Sequence, residues 1–227
     1  MLITIPELLT PEEVAWCRSR LASAAWVDGQ TTAGPISAVV KNNRQLDPTS
    51  SEATEVGQVV LEALHRNPVF LSAALPLRIL PPMFNAYRGG EHFGIHVDNA
   101  IRNAPGSATR IRTDVSTTVF FSDPDEYEGG ALTVETPFGV QTAKLPAGHA
   151  IVYPSTSLHE VTPVTEGERI ASFFWTQSMI RDEGERALLF DLDQVIQDLR
   201  ERHGVEDPQA LRLSFVYHNL VRRWAET

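Results

Sequence analysis

Seven short β-forming runs, separated by turn residues, fill the middle of the chain. They are Leu77–Tyr87, Val115–Ser122, Ala131–Glu135, Val140–Leu145, His149–Tyr153, His159–Val164 and Arg169–Thr176. The breaks between them carry Gly89-Gly90, Asp123-Pro124-Asp125, Gly129-Gly130, Pro137-Phe138-Gly139, Pro146-Ala147-Gly148 and Glu166-Gly167. Glycine and proline there supply the dihedral angles that turns need and strands avoid. Strands this short and this evenly spaced predict a sandwich, a barrel or a double-sheet jelly roll.

Helical patterns flank this β region. Thr10-Pro11-Glu12-Glu13 reads as an N-cap, a proline at the first helical position and a glutamate able to close a capping box. Val14, Cys17 and Leu21 then recur at helical spacing. A second helix is predicted over about 50–66, with Val56, Val59, Val60, Ala63 and Leu64 as its buried stripe and Asn67-Pro68 as its stop. Past residue 180, Leu188, Leu192, Val195, Ile196 and Leu199 keep helical spacing. Asp207-Pro208 opens a last helix bearing Leu211, Phe215 and Trp224. The expected organisation is a helical segment over 1–76 packed on the core, a β core over 77–178 and a helical extension over 179–227. Residues 99–112, polar and punctuated by glycine and proline, read as a long loop.

Composition narrows the function. The 227 residues carry a formal net charge of −10, and no basic patch beyond Arg222-Arg223 breaks it, so no nucleic-acid partner is expected. The single cysteine, Cys17, excludes an internal disulfide and suits a reducing compartment. Residues 1–9 lack the features of a signal peptide. No apolar run approaches the roughly 18 residues that span a bilayer. A cytoplasmic protein without membrane attachment is expected.

Chemistry concentrates at His96-Val97-Asp98 and His159. Side chains two apart on a strand share one face, so His96 and Asp98 can reach one ion. His159, from a distant strand-like run, completes two imidazoles and one carboxylate. That donor set leaves other metal positions open and points to non-haem Fe(II) and oxygen chemistry. Arg169 follows ten residues after His159, across the Glu166-Gly167 turn, where an antiparallel return would set it beside the metal strand. It shares a strand face with Ala171, Phe173 and Trp175, which makes it an inward-pointing cation. A buried guanidinium needs an anion. The two readings are a structural salt bridge to an unplaced acidic residue and a bidentate grip on a dicarboxylate ligand.

Taken together, these residues resemble the 2-oxoglutarate- and Fe(II)-dependent dioxygenases, in the prolyl-4-hydroxylase-like branch. The segments Phe84-Asn85-Ala86-Tyr87-Arg88-Gly89-Gly90, Gly129-Gly130-Ala131-Leu132 and Pro146-Ala147-Gly148-His149-Ala150-Ile151-Val152-Tyr153 carry the likeness beside His159-Glu160-Val161. The helical tail resembles that of the bacterial PKHD-type hydroxylases, and the likeness then covers essentially the whole chain. The resemblance implies a mainly β fold, a double-stranded β-helix or jelly roll, with flanking N- and C-terminal α-helices. It implies Fe(II) on His96, Asp98 and His159, and 2-oxoglutarate and O2 at the open positions. Arg169 would bind the distal carboxylate of the co-substrate. It also implies release of succinate and CO2 with hydroxylation of a C–H bond, and ascorbate as a helper. Related halogenases have a small residue in place of the carboxylate, so Asp98 argues for hydroxylation.

Tyr87 is a candidate hydrogen-bond partner of the co-substrate, or a half-buried strand tyrosine with a wet hydroxyl. Thr118, on one strand side with Ser116 and Phe120, faces either the cavity or a plain sheet surface. His149 reads as structural, His92 as a loop histidine, and Asp123, Asp125, Glu126 and Glu128 as a solvated hairpin tip. Cys17, Trp16, Trp26 and Trp224 read as packing residues. The substrate is open among a small molecule, a siderophore-like compound and a protein side chain. The C-terminal helices offer a surface for homo-oligomer formation. The competing readings are a cupin-like metal enzyme that does not use 2-oxoglutarate and a non-catalytic iron-binding regulator.

Overall fold

The computed structural model describes residues 1–32, 39–104 and 106–227. The chain opens with β1 (Ile3–Ile5), α1 (Pro11–Ala22), β2 (Trp26–Asp28), β3 (Lys41–Asn42), β4 (Arg44–Leu46), α2 (Ser51–Arg66) and α3 (Pro68–Ala74). The Thr10 hydroxyl accepts from the Glu13 N–H while the Glu13 carboxylate accepts from the Thr10 N–H, the reciprocal cap read from the sequence. Ser50 caps α2, which buries Val56, Val60, Ala63 and Leu64 and leaves Val59 partly covered. Asn67 ends α2 and its side chain caps α3 at once, a helix that the sequence reading did not separate. The segment before residue 76 is therefore not only helical: β1 to β4 join the two main sheets, because their backbone groups find partners along open strand edges.

The middle of the chain runs through β5 (Pro76–Ile79), β6 (Met83–Tyr87), β7 (His92–His96), β8 (Ile101–Asn103), β9 (Arg110–Arg112), β10 (Val115–Phe120) and β11 (Tyr127–Gly129). It continues with β12 (Leu132–Thr136), β13 (Gly139–Ala143), β14 (Ala150–Pro154), β15 (His159–Val161), β16 (Val164–Gly167) and β17 (Arg169–Ser178). Residues 99–112 are not one long loop, since Ile101 to Asn103 pair with Arg112 to Arg110 in a hairpin. The larger sheet has the order β1-β14-β10-β17-β6-β4-β2, with β5 on the far end of β17. The second has the order β13-β12-β15-β7-β3. All these pairings are antiparallel, and the fold is mainly β with helices at both ends, as the sequence predicts.

Strand alternation sorts β10 cleanly. Val115 and Val119 pack under α1, α2 and α3 with Cys17, Leu21, Val60, Leu64 and Phe70. Ser116, Thr118 and Phe120 point the other way, toward the second sheet. Between the sheets, Tyr87, Phe120 and Ile151 meet Leu132, Val134 and Val161. One layer of helices thus covers the outer face of the large sheet and leaves its inner face free to build a cleft.

The chain closes with α4 (Glu183–His203) and α5 (Pro208–Trp224), capped by Asp182 and Asp207. Their packed seam uses only part of the apolar residues that mark them as helices in the sequence. Leu189, Phe190 and Ile196 are buried, whereas Leu188, Val195, Leu211 and Phe215 are exposed. Tyr217, Leu220, Val221 and Trp224 pack on Leu75, Ile180 and Leu189 instead. Periodicity identifies a helix, but here both faces carry apolar residues, so it does not identify which face is covered.

Gly129 shows how tightly the β11–β16 corner is closed. It sits at φ +72°, and a Cβ there would lie 2.0 Å from the Pro163 carbonyl oxygen. A backbone atom cannot rotate away. Gly129→Ala is expected to lower unfolding stability by about 2 kcal/mol or more, measured by urea denaturation.

Candidate active site

A cleft of about 810 Å³, counting its open mouth, lies between the two sheets. His96, Asp98, His159, Arg169, Tyr87 and Thr118 all line it. His96 and His159 are directly opposed across the β7–β15 ladder, with ring centroids 4.2 Å apart. Asp98 lies just past the end of β7, not within the strand, yet its carboxylate still reaches the pair. One ligand atom from each residue falls within 4.8 Å of the others. Asp98 Oδ2 is 3.7 Å from His159 Nε2, too far for a hydrogen bond and wide enough to admit an ion between them. Metal–ligand bonds of about 2.0–2.2 Å then need only small side-chain movements.

Both histidines are oriented by the same local device. His96 Nδ1 lies 2.8 Å from the Gly94 carbonyl, and His159 Nδ1 lies 3.0 Å from the Ser157 carbonyl. A carbonyl oxygen only accepts, so each Nδ1 carries the proton and each Nε2 keeps its lone pair for the cleft. Phe93 stacks on the His96 ring at 3.6 Å, and Tyr153 meets His159 edge-on. Burial, and after it the neighbouring His159, push the His96 pKa down to about 4. The ring is therefore neutral at physiological pH, the form that binds metals.

Asp98 is held from the opposite sheet. The Ser116 hydroxyl donates to Asp98 Oδ2 at 2.6 Å and is itself 2.7 Å from the Ser155 hydroxyl. The sequence reading put Ser116 on one strand side with Thr118, left that side open between the cavity and a plain sheet surface, and gave Ser116 no role. Its alternation with Thr118 was the available signal.

Arg169 reaches the cleft differently from the expected path. β17 pairs with β6 and β10 in the large sheet, and not with the strand that carries His159. The guanidinium therefore approaches from across the cleft. Arg169 is 1% exposed. Its Nε and Nη1 have no hydrogen-bond partner among the described residues. The faces of Tyr87 and Phe120 lie 5.4 and 5.1 Å from it. No acidic side chain supplies the structural salt bridge considered for it: it takes part in no ion pair among the described residues, and Asp98 is the sole acidic residue lining the cleft.

Tyr87 stands directly opposite Arg169 in the β6–β17 register and is fully buried, not half-wet. Its hydroxyl oxygen accepts from Asn43 Nδ2 at 2.8 Å and Asn85 Nδ2 at 3.2 Å. Burial raises its pKa while Arg169 opposes the rise, so the phenol keeps its proton as a donor. Sequence reasoning missed Lys41 and Arg102, which also line the cleft together with Trp175 from the inward face of the Arg169 strand.

The remaining candidates lie elsewhere. His92 is half-buried at the start of β7, with Nδ1 3.2 Å from the Gly90 carbonyl. His149 precedes β14 and does not line the cleft. Asp123 and Glu126 pair with Arg18 on the surface. Cys17 is buried in the core and its thiol is pushed up to about 12 by burial and then Glu13.

A two-sheet β fold with a His-Asp-His cluster facing a buried arginine defines the class of 2-oxoglutarate- and Fe(II)-dependent oxygenases. The family model described as the 2OG-Fe(II) oxygenase superfamily matches residues 82–177, and that of the PKHD-type hydroxylase C-terminal domain matches 183–226. A PKHD-type hydroxylase of Methylobacillus flagellatus is 56% identical over 227 residues, covering all of both chains. Among solved structures, a prolyl hydroxylase of Trichoplax adhaerens, in complex with a peptide fragment of hypoxia-inducible factor, aligns with TM-score 0.55 at 18% identity. That match covers 82% of this chain and 86% of the other. A Pseudomonas putida prolyl-4-hydroxylase aligns with TM-score 0.51 at 19% identity, covering 78% and 92%. The chain belongs to the PKHD-type hydroxylases, and it is a dioxygenase that depends on Fe(II) and 2-oxoglutarate.

Removing the hydroxyl that orients Asp98 tests the site geometry. Ser116→Ala is expected to weaken Fe(II) binding by about 10- to 100-fold without unfolding the protein, measured by anaerobic equilibrium dialysis.

Proposed function

We propose that His96, Asp98 and His159 hold Fe(II), and that Arg169 with Tyr87 anchors the distal carboxylate of 2-oxoglutarate. The observation that carries this reading is the buried guanidinium of Arg169, whose Nε and Nη1 have no hydrogen-bond partner among the described residues, in the cleft the triad lines. A carboxylate is the anion that satisfies a guanidinium fork with two parallel bonds. Tyr87 adds a third contact, because two amide N–H groups occupy its oxygen and leave its own O–H to donate. The donor set also fits the metal: two neutral imidazoles and one carboxylate leave positions open for co-substrate and O2.

When bound, the iron supplies the oxidising chemistry, in which 2-oxoglutarate is split to succinate and CO2 and a substrate C–H bond is hydroxylated. The chain's own work is orientation and exclusion. The Gly94 and Ser157 carbonyls fix both imidazole tautomers, Ser116 fixes the carboxylate, and the walls of Phe93, Leu132 and Val161 keep water from the centre. Arg169 and Tyr87, register partners in the cleft lining, are at most 1% exposed, so a dicarboxylate bound there would be drawn inside the cleft with its other end free for the triad.

Around this centre we place ascorbate as the reductant that restores oxidised iron, a cytoplasmic location, and homo-oligomer formation through the C-terminal helices. The proposed parts are 1–76, 77–178 and 179–227, with the first also lending strands to the sheets. The substrate class is open among small molecules, siderophore-like compounds and protein side chains. A cupin-like enzyme without 2-oxoglutarate has no use for an anion seat at Arg169. A purely iron-binding regulator has no use for one either.

Two results test the proposal. Anaerobic addition of Fe(II) and 2-oxoglutarate is expected to produce a weak visible charge-transfer band, followed by succinate when oxygen enters; absence of both refutes it. Arg169→Ala is expected to raise the 2-oxoglutarate Kd at least about 100-fold, the loss of two charge-assisted bonds of roughly 1.5–3 kcal/mol each, while Fe(II) affinity stays within a few-fold. Loss of metal in that variant, measured by dialysis, contradicts the assigned role.

A further inference from the structure

The outer side of the C-terminal helices carries apolar residues that the rest of the chain leaves open to solvent. On α4, Leu188, Leu192, Val195 and Leu199 follow one another at spacings of four, three and four residues, which is a single stripe along the helix. Leu188 is 62% exposed and Val195 about half exposed. On α5, Leu211 and Phe215 begin a stripe of the same spacing that runs on through His218 and Arg222. Phe215 is 59% exposed, and Leu211 is also more than half exposed.

Both stripes look the same way. Arg186 is buried and donates to the Ile180 and Arg181 carbonyls, which marks the side of α4 that meets the core. Leu188 lies two positions further on, about 200° round the helix. Leu220 packs with Trp224 on Leu75 and Ile180. Leu211 stands nine positions before Leu220, about 180° round its helix. The two stripes therefore form one apolar face, on the side of the helix pair turned away from the β core. Apolar surface gathered in this way marks an interaction site.

Charge identifies what covers this face. α4 holds six acidic and three basic residues, a formal charge of −3, whereas α5 holds three arginines and no acidic residue, a formal charge of +3. Among the described residues no ion pair joins the two helices; the pair between helix residues is Arg202 with Asp198, inside α4. The helices meet instead through the Arg200 guanidinium, which donates to the Ser214 hydroxyl. That bond sets their level. Nine residues back along α4 stands Asp191, and nine residues on along α5 stands Arg223, so the two lie level on antiparallel helices. Nine residues are also about two and a half turns. Asp191 and Arg223 of one copy therefore point to opposite outer edges of the pair and cannot meet each other. A second copy, turned over onto the same face, brings each acidic edge against a basic one.

We propose that this face joins two copies of the chain about a two-fold axis running along the helices, so that α4 of each copy lies over α5 of the other in a four-helix bundle. Leu188, Val195, Leu211 and Phe215 fill its centre. At each edge Asp191 pairs with Arg223 of the partner subunit. The symmetry makes every contact twice, so a weak pair counts double. An anionic lipid surface is a poorer occupant, because it attracts α5 and is repelled by the carboxylates of α4. This inference rests on the homo-oligomer reading given above, to which it adds the faces, the axis and the pairing; it is independent of the iron site.

Sedimentation equilibrium of the full chain over a dilution series is the test, with twice 25.1 kDa as the expected mass. Phe215→Glu sets a charge at the centre of the bundle in both copies and is expected to raise the dimer Kd at least about 100-fold, the scale of an interface hot spot. Leu188→Lys is expected to act in the same direction, and the far-UV spectrum of each variant checks that it has folded. Exchanging charges locates the packing. Asp191→Lys and Arg223→Glu, both at exposed positions, are each expected to weaken the dimer about five- to tenfold, and the double variant to recover the wild-type Kd. These two carry the test if the apolar variants do not fold. A wild-type chain that is monomeric at every concentration overturns the proposal and the homo-oligomer reading together. A dimer that survives both Phe215→Glu and Leu188→Lys overturns the proposal alone, since the copies then meet elsewhere. A double variant no tighter than its single parents refutes the packing of α4 on α5. A monomer that pellets with phosphatidylserine vesicles, and loses that binding in Phe215→Glu, gives the face to a lipid surface and also overturns the proposal.

Discussion

A guanidinium buried to 1% exposure, with two nitrogens that have no hydrogen-bond partner among the described residues, is the constraint around which the rest of the structure is arranged. Such a group is costly unless an anion arrives. The protein tolerates it because β17 is paired on both sides, by β10 and β6, and its register is fixed over its whole length. Shifting that register by one residue would turn Arg169 toward the helices and Ile170 into the cleft. The helices that cover the outer face of the large sheet therefore do more than bury apolar surface. By packing on Val119 and Phe174 they determine which side of each strand looks inward, and so where the charge sits.

The geometry of the candidate metal-binding triad depends on both sheets at once. His96 and His159 come from adjacent strands of the smaller sheet, and each is oriented by the carbonyl two residues before it. Asp98 lies beyond the end of its strand, where backbone pairing no longer fixes it. Its position is set instead by Ser116 and Ser155, which belong to the large sheet and its connecting segment. Separating the sheets would leave the imidazoles in place and release the carboxylate. Tyr87 is fixed beside the buried charge, since it is register partner to Arg169 and receives amide N–H groups from Asn43 and Asn85.

Much of this was legible from residue types and spacing. The cap at Thr10, the stop at Asn67 and the strand runs from Val115 onward depend on local chemistry, which a sequence displays directly. The convergence of His96, Asp98, His159 and Arg169 on one cleft was legible because their functional groups are the ones that metal and dicarboxylate binding would need in short reach. What was not legible depended on pairing over distance. β1 to β4 are too short to announce themselves, and only the open edges of the sheets make them strands. The route of Arg169 to the cleft was misread because a hairpin return to the adjacent strand is the default, whereas β17 crosses to the other sheet. Lys41 and Arg102 carried no spacing signal: they lie 61 positions apart and meet only because β3 and the β8–β9 hairpin border the same cleft. The inward seam of α4 was not legible because both of its faces carry apolar residues: Leu189 and Ile196 are buried, whereas Leu188 and Val195 are exposed.

In the proposed complex an anion completes the buried charge of Arg169 while the triad holds the other end of the same molecule. The decisive measurement is a crystal structure of the protein with Mn(II), as a redox-inert stand-in for Fe(II), and 2-oxoglutarate under anaerobic conditions. One carboxylate of 2-oxoglutarate is expected at about 2.7–2.9 Å from the Arg169 guanidinium, with the Tyr87 hydroxyl donating to it. The other carboxylate and the keto oxygen are predicted on the metal held by His96, Asp98 and His159. A 2-oxoglutarate bound away from Arg169, or an Arg169 paired instead with a carboxylate of the protein, would contradict it.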